Sequence, residues 1–357
     1  MVLPGCSLYF GSSPGSSHDV DAVPDGSDLE AIARPCIRAM AAGNLVLGGA
    51  DDIFLTYVCD APGAGGIIEY FHDEGGMLVG GMARADYQEP FIRATVVDAD
   101  ANLPADVLTV NQYNPGGWVF SSYGGFRYET QRPFTDAFMA NIDGIGPSDL
   151  IFAGDHAIRV QHGMFAMTEP ELLTGKPFVS VAMAPLGGST AQDLFYIAGA
   201  PGQALELGVA LQTAADPLAF TLGAIAADPA GPVLPLVVAD VDGDHVPDVV
   251  GGTSHVFVRS SKTGSLSYLE ETPSAIAAGD LDADGTSDAI FMTADHQAIR
   301  RLQISSTGQL SSSPLVAAGG DALTIADLDG DRRGDVILIR DLGKPTSTLV
   351  VHRATTY

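Results

Sequence analysis

Short apolar runs alternate along the chain with polar turns rich in glycine, and seven of these runs begin at an aspartate. Apolar runs of this length, bounded by turn residues, predict β-strands, and helical periodicity is nearly absent. The seven aspartates stand 40 to 55 residues apart, which is close to the period of a four-stranded propeller blade. They are Asp52, Asp106, Asp149, Asp193, Asp248, Asp288 and Asp335.

A proline stands 7 to 13 residues before each turn that leads into these aspartates. Because proline cannot donate a hydrogen bond within a central ladder, we expect each one between the outer strand of one blade and the inner strand of the next. The repeats predict an all-β chain, with a single seven-bladed β-propeller of four-stranded blades over residues 28–357 and a flexible tether over residues 1–27. The prolines are Pro35, Pro90, Pro133, Pro177, Pro232, Pro273 and Pro314.

The two ends of the repeat region predict how the ring closes. The last repeat contains apolar runs at residues 336–340 and 348–353 but no run for an outer strand. Residues 28–35 occupy the place of an outer strand before the first of the prolines. We therefore expect the N-terminal strand to complete the last blade and to tie the two ends of the chain together.

Three of the aspartates close nine-residue acidic loops, which read DVDGDHVPD, DLDADGTSD and DLDGDRRGD. Positions 1, 3, 5 and 9 carry carboxylates, and position 7 offers a backbone carbonyl. Oxygen ligands at odd positions let a short loop wrap a hard cation, so the spacing predicts three Ca²⁺ sites. The alternative is an aspartate-rich turn capped by its own backbone, in which the carboxylates would repel one another. The predicted ligands are Asp240, Asp242, Asp244, Asp248, Asp280, Asp282, Asp284, Asp288, Asp327, Asp329, Asp331 and Asp335.

A fourth loop, over residues 98–106, keeps its oxygen ligands but has no glycine at its turn, so we expect a weaker Ca²⁺ site there. The corresponding segments at residues 44–52, 141–149 and 185–193 have lost ligands, and we interpret them as ordinary turns. The ligands of the fourth loop are Asp98, Asp100, Asn102 and Asp106.

The loop pattern and the repeat period resemble those of FG-GAP or VCBS repeats in propellers of the integrin-alpha type, whose loops read DxDxDGxxD. The resemblance covers residues 28–357 and rests on period and loop spacing, not on overall identity. Of the turn glycines Gly243, Gly285 and Gly330, only Gly285 stands at the glycine of that pattern. The resemblance implies calcium-stabilised blades and a cell-surface or exported role in binding or adhesion.

The net charge of −27 argues against nucleic acid and anionic membrane surfaces as partners, because both would be repelled. Four bound Ca²⁺ ions would leave about −19, so metal ligands explain part of the acidity. No apolar run is long enough for a membrane-spanning helix, and we expect a monomer.

The first residues predict export. The motif LPGC at residues 3–6 resembles the lipobox of bacterial lipoproteins, and the glycine- and serine-rich stretch after it suits a tether. We expect a bacterial envelope lipoprotein or a secreted protein that contacts the membrane only through a lipid on Cys6; a merely disordered N-terminus is the alternative. Cys36 and Cys59 then form either a disulfide or two buried thiols.

Aromatic residues interleaved with glycines in the second repeat include the only tryptophan and form the candidate ligand surface. Such residues suit stacking on sugars or a protein hot spot, but they suit packing between blades as well. No residues have the spacing of a catalytic centre, so we expect a binding protein for a glycan or surface protein and not an enzyme. A scaffold lipoprotein without a ligand is the alternative, and an enzyme with its active site in the channel is the third. The candidate surface residues are Tyr113, Trp118 and Tyr123.

Overall fold

The computed structural model describes most of the chain from residue 29 onward, and every regular element in the part it describes is a β-strand. That part contains no helix that could cross a membrane. The predicted tether and Cys6 lie outside it. The described residues are 29–45, 50–57, 66–87, 91–97, 105–111, 116–121, 124–129, 134–143, 148–154, 156–162, 170–186, 192–200, 202–215, 218–228, 232–305 and 307–354.

Seven antiparallel sheets of four strands each account for all 28 described strands. The first strand, β1 (Leu29–Ala33), belongs to the last sheet. The first sheet comprises β2 (Ile37–Gly43), β3 (Asp52–Tyr57), β4 (Gly66–Asp73) and β5 (Leu78–Tyr87). The second comprises β6 (Phe91–Val97), β7 (Asp106–Asn111), β8 (Gly116–Ser121) and β9 (Gly124–Glu129). The third comprises β10 (Asp136–Ala140), β11 (Asp149–Ala153), β12 (Ala157–Gln161) and β13 (Glu171–Thr174).

The remaining sheets follow the same order. The fourth comprises β14 (Phe178–Ala184), β15 (Asp193–Ala198), β16 (Leu205–Ala215) and β17 (Leu218–Asp228). The fifth comprises β18 (Val237–Ala239), β19 (Asp248–Gly252), β20 (Val256–Arg259) and β21 (Leu266–Leu269). The sixth comprises β22 (Pro273–Gly279), β23 (Asp288–Thr293), β24 (Ile299–Ile304) and β25 (Leu310–Val316). The seventh comprises β26 (Ala322–Ala326), β27 (Asp335–Arg340), β28 (Thr348–His352) and β1.

The first strands of the seven sheets form a closed ring. β2 contacts β6, the contacts continue through β10, β14, β18 and β22 to β26, and β26 contacts β2 again. Within the first six sheets, the later strands lie outward in chain order, and in the seventh β1 lies outside β28. All-β composition, four-stranded sheets and a closed ring of inner strands are consistent with the predicted seven-bladed propeller, and we refer to the sheets as blades one to seven.

The hydrophobic core lies between neighbouring blades. One cluster joins Ile53 and Phe71 of the first blade to Ile337 and Val351 of the seventh, and all four are fully buried. Because each inner sheet region is covered on both faces, its second strand is apolar at successive positions instead of alternating. This burial explains why the aspartate-led apolar runs in the sequence coincide with second strands.

The N-terminal strand lies beside the last strand of the chain. β1 pairs antiparallel with β28, from Leu29 opposite His352 to Ala33 opposite Thr348. The next residue, Arg34, donates from Nε and Nη2 to the Glu69 carboxylate of the first blade, at 2.9 and 3.1 Å. The N-terminal segment therefore contacts both the seventh and the first blade.

The predicted position of the prolines, between the outer strand of one blade and the inner strand of the next, is correct for some blades and wrong for the sixth. Pro35, Pro177 and Pro232 lie between outer and inner strands, and Pro273 begins an inner strand. Pro314 instead lies inside β25, so its prediction is wrong. An outer strand tolerates proline on its unpaired side, and a register shift in the pairing of β24 with β25 lies at this point. Pro90 and Pro133 lie outside the described residues.

Deletion of residues 1–35 tests whether the N-terminal strand stabilises the ring. Removing β1 breaks a five-residue pairing with β28 and leaves that strand as an exposed edge. At about 1 kcal/mol per hydrogen bond, the loss is about 4 kcal/mol, or about 5 °C in melting temperature for a chain of this length. Deletion of residues 1–27, which keeps β1, is the control. Equal melting curves for the two deletions would contradict a closing role for β1.

Candidate metal-binding loops

All seven aspartates that define the repeat begin the second strand of a blade, as predicted. In five blades, Oδ2 of this aspartate accepts a hydrogen bond from the backbone N–H seven residues earlier, at 3.0–3.2 Å. Oδ1 can accept a second N–H from a residue two positions after the third strand, as Asp248 does from Ser261 and Asp335 does from Ala354, both at 2.8 Å. The closing aspartate therefore holds its loop against the blade. The five N–H donors are Leu45, Ile142, Val241, Leu281 and Leu328.

The three predicted Ca²⁺ loops share one backbone wrap. In each, the first aspartate accepts the N–H of position 4 on Oδ1, at 2.8 Å, and the N–H of position 6 on Oδ2, at 2.7–2.9 Å. The aspartate at position 5 accepts the N–H of position 7, at 2.7–2.8 Å. The loops are therefore preformed by their own hydrogen bonds, as the backbone-capping alternative requires. Each carboxylate oxygen has two lone pairs, so this capping leaves room for a cation.

The backbone of each of these loops is left-handed at two positions, whereas the DxDxDGxxD pattern places glycine at one of them. Position 4 has φ of 65–78° and position 6 has φ of 64–84°. Each loop places glycine at one of the two positions and another residue at the other, which costs roughly 1–2 kcal/mol. This explains why Gly243 and Gly330 serve their loops although they do not stand at the sixth position. The non-glycine residues are His245, Ala283 and Arg332.

Three carboxylates converge in each of the three loops, with ligand oxygens within 4.8 Å of one another. The structure therefore brings together nine of the twelve predicted ligands. Asp244, Asp284 and Asp335 are not part of these groups. Of the fourth predicted site, Asp98, Asp100 and Asn102 lie outside the described residues, and Asp106 begins β7 with 1% exposure. The three groups are Asp240, Asp242 and Asp248; Asp280, Asp282 and Asp288; and Asp327, Asp329 and Asp331.

The first of these groups fits a hard cation. Oδ1 of Asp242 is buried and receives no hydrogen bond. Burial raises the pKa of Asp248 to about 7, and burial together with the Asp244 and Asp240 charges raises the pKa of Asp242. Ionised carboxylates are thus disfavoured here unless positive charge is nearby. Asp240, Asp242 and Asp248 would hold the ion, which would neutralise their repulsion.

Side-chain cations already contact some of these carboxylates. In the sixth blade, Nη2 of Arg301 lies 2.8 Å from Oδ2 of Asp282 and 2.5 Å from Oδ1 of Asp288. In the fifth blade, Lys262 is 64% exposed and reaches Asp244, which is outside the converging group. The loop at 280–288 therefore has a competing internal cation on two of its three converging ligands.

Hydrogen bonds join the loops of neighbouring blades. The backbone of position 1 in one loop bonds to the backbone of position 8 in the loop of the next blade. This bond occurs between blades five and six, six and seven, seven and one, and one and two, at 2.6–2.8 Å. The loops therefore form a connected arc at one end of the ring. The pairs are Asp240 with Ser287, Asp280 with Gly334, Asp327 with Asp51, and Asn44 with Ala105.

A fourth cluster of metal-ligating groups lies in the third blade and was missed by sequence reasoning. Asp143 and Asp149 belong to segment 141–149, which the sequence indicated to be an ordinary turn, and His162 joins them from the end of β12. A histidine 13 residues after the closing aspartate is the signal in the sequence. This spacing identifies His162 as a neighbour of Asp149 only when the register between the second and third strands is known.

Two other sequence predictions fall on residues that the structure describes only in part. Tyr113 and Tyr123 lie outside the described residues, and the backbone of Trp118 in β8 pairs with Thr109 and Arg127. The choice between core packing and ligand binding for this aromatic cluster therefore stays a prediction.

Cys36 is disulfide-bonded, and its partner is outside the described residues.

Comparison with known proteins agrees with the propeller class of fold. No known family matches the sequence, and no curated protein matches it significantly. Among solved structures, the chain is similar to BBS1N in complex with ARL6DN, in a mercury-soaked crystal, with a TM-score of 0.57 and 12% identity over 91% of this chain and 93% of the other. A lead-soaked crystal of the same complex gives a TM-score of 0.55 and 13% identity over 91% and 94%. At this identity the likeness shows a shared fold.

Replacement of Arg301 by Gln tests whether the guanidinium competes with a cation for the loop at 280–288. We expect Arg301→Gln to strengthen Ca²⁺ binding at this loop by up to about tenfold, or about 1.4 kcal/mol, because two of its ligands lose a competing positive charge. The adjacent Arg300, which contacts Glu271 and Ser312 instead, provides Arg300→Gln as the matched control. Calorimetric titration with Ca²⁺ measures both. Equal affinities in the two variants would show that Arg301 does not compete.

Proposed function

We propose that this chain is a calcium-stabilised, protein-binding propeller of the FG-GAP or VCBS type. The observation that carries the proposal is the repeated convergence of three carboxylates in loops that share one hydrogen-bonded wrap. An all-oxygen ligand set on a short flexible loop suits Ca²⁺ better than zinc, copper or iron. The predicted weaker site over residues 98–106 is part of the same proposal.

Calcium would act here as a structural ion. The first aspartate of each loop is both a proposed ligand and the residue whose backbone bonds to the next blade. An ion that fixes this aspartate therefore also fixes the contact between blades. With a dissociation constant near 10⁻⁴ M and about 1 mM Ca²⁺, each site adds about 1.4 kcal/mol, and three sites add about 4 kcal/mol.

Chelation and a single ligand replacement test the calcium proposal together. We expect a chelator to lower the melting temperature of the wild-type chain by about 5 °C, from the loss of about 4 kcal/mol. Asp242→Asn should lower it by about 2 °C in Ca²⁺ and leave it nearly unchanged in chelator, because it removes a charged ligand from one site. Scanning calorimetry in both buffers measures these shifts.

The control for this experiment is Glu270→Gln, which removes the same charge from an exposed residue away from the loops. It should melt like the wild type in both buffers. A wild-type melt that is identical with and without chelator would overturn the calcium proposal. An Asp242→Asn defect of equal size in both buffers would assign Asp242 a role in folding and not in binding Ca²⁺.

A protein is the partner we propose for the ring. The similar solved structures contain BBS1N in complex with ARL6DN, so this fold can present a surface to another protein. The net charge of −27 favours a partner with a basic surface. A glycan ligand, a scaffold role without any ligand and an active site in the channel are the competing functions, in that order.

Export from the cytoplasm is the final part of the proposal. The disulfide at Cys36 favours an oxidising compartment, and weak Ca²⁺ sites fill at the millimolar concentrations found outside cells. Attachment to a bacterial envelope through a lipid on Cys6 accords with both. Mass measurement of the native protein and of its N-terminal peptide after digestion would show the lipid as added mass.

An array that carries both glycans and envelope proteins of the bacterium that produces this chain tests the binding function. We expect the chain to bind protein spots in Ca²⁺, to lose this binding in chelator and to bind less at high salt, because the ring is acidic and needs its loops ordered. Binding to glycan spots alone would contradict the proposed protein partner and would indicate a sugar ligand instead. If the folded chain binds neither the protein spots nor the glycan spots, the scaffold role is favoured.

A further inference from the structure

The third blade carries a cluster whose donor atoms differ from those of the three acidic loops. Nδ1 of His162 lies 3.3 Å from Oδ2 of Asp143 and 3.2 Å from Oδ1 of Asp149. All three donor atoms lie within 4.8 Å of one another. The cluster therefore offers one imidazole nitrogen and two carboxylate oxygens at a single point.

Strand register brings the histidine to this point. β12 ends one residue before His162, and its pairing with β11 places His162 beside Asp149. In the fifth blade the corresponding place is taken by Ser260, whose Oγ lies 3.4 Å from Oδ2 of Asp242. The side chain at this place faces the loop in both blades, and the third blade supplies a nitrogen where the fifth supplies a hydroxyl oxygen.

We propose that Asp143, Asp149 and His162 bind a transition-metal ion of the zinc class and not Ca²⁺. Imidazole is a ligand for zinc and its neighbours, whereas Ca²⁺ takes oxygen ligands. Zinc bonds of about 2.0–2.1 Å in a tetrahedral array place neighbouring donor atoms about 3.3–3.4 Å apart, close to the two distances seen here. The proposal does not rest on Ca²⁺ in the other loops.

The competing explanation is an ion pair in which protonated His162 bonds to the carboxylates without a metal. In that case Nδ1–H points at one carboxylate oxygen at a time, because a hydrogen bond is directional. A metal ion would instead bind all three donor atoms together. The two explanations differ in whether added zinc changes the chemical reactivity of the imidazole. A bound zinc ion blocks the Nδ1 lone pair only when zinc is present, whereas a proton held by the carboxylates blocks it equally with and without zinc.

Zinc counting on matched histidine variants tests the proposal. The full chain, without a polyhistidine tag, is stripped with chelator, dialysed against Zn²⁺ in millimolar Ca²⁺ and analysed for bound zinc. His162→Gln removes the proposed nitrogen ligand. His72→Gln is the control, because His72 has the same 43% side-chain exposure and faces a single carboxylate, Glu74, at 3.0 Å.

We expect one equivalent of zinc on the wild type and on His72→Gln, and at least about tenfold weaker binding on His162→Gln. Equal zinc on all three proteins, or none on the wild type, would overturn the proposal, as would displacement of zinc by Ca²⁺. If His162→Gln does not fold, carbethoxylation of the wild type decides: zinc should protect His162 and leave His72 reactive. Equal reactivity of His162 with and without zinc would also overturn it.

Discussion

Each blade of this ring depends on a carboxylate at the start of its second strand, which is buried in six blades and half-buried, as Asp288, in the sixth. A buried carboxylate is costly unless hydrogen bonds or a cation satisfy it. In five blades the second position of the preceding loop supplies an N–H, and in the fifth and seventh blades a residue just after the third strand supplies another. Satisfying one charge thus fixes the loop, the start of the second strand and the end of the third, which is why this aspartate recurs while its surroundings vary.

The blades differ in how they handle the charge that accumulates around this aspartate. The fifth blade leaves Oδ1 of Asp242 buried without a hydrogen bond, which suits an added cation. The sixth places Arg301 on two of the same ligands, and the seventh places Arg353 3.6 Å from Asp335. The third brings in His162. The same loop backbone therefore has four different charge environments, which differ in the residue that lies in or just after the third strand.

The sequence alone was sufficient for the features that depend on local pattern. The seven aspartates and their apolar runs predicted second strands because burial on both faces leaves an uninterrupted apolar run, and the odd-position carboxylates predicted the loops because ligand spacing is local. His162 and Arg301 could not be predicted, because their contacts depend on the register between paired strands, and the bonds between loops could not, because they depend on how neighbouring blades pack. Pro314 shows the same limit: its side of the outer strand is a property of pairing, which a residue count does not contain.

Because hydrogen bonds join the loops of neighbouring blades, a metal ion bound in one loop would affect the ring beyond its own blade. Position 1 of a loop contacts position 8 of the next, and position 8 precedes the closing aspartate of that blade. A cation bound to the first aspartate of one loop would therefore restrain the closing aspartate of its neighbour through a two-residue backbone path. Loops five, six, seven, one and two form an unbroken arc of such contacts. Sites in this arc should stabilise the ring together more than the sum of isolated turns, because each fixes a backbone group that its neighbour also uses.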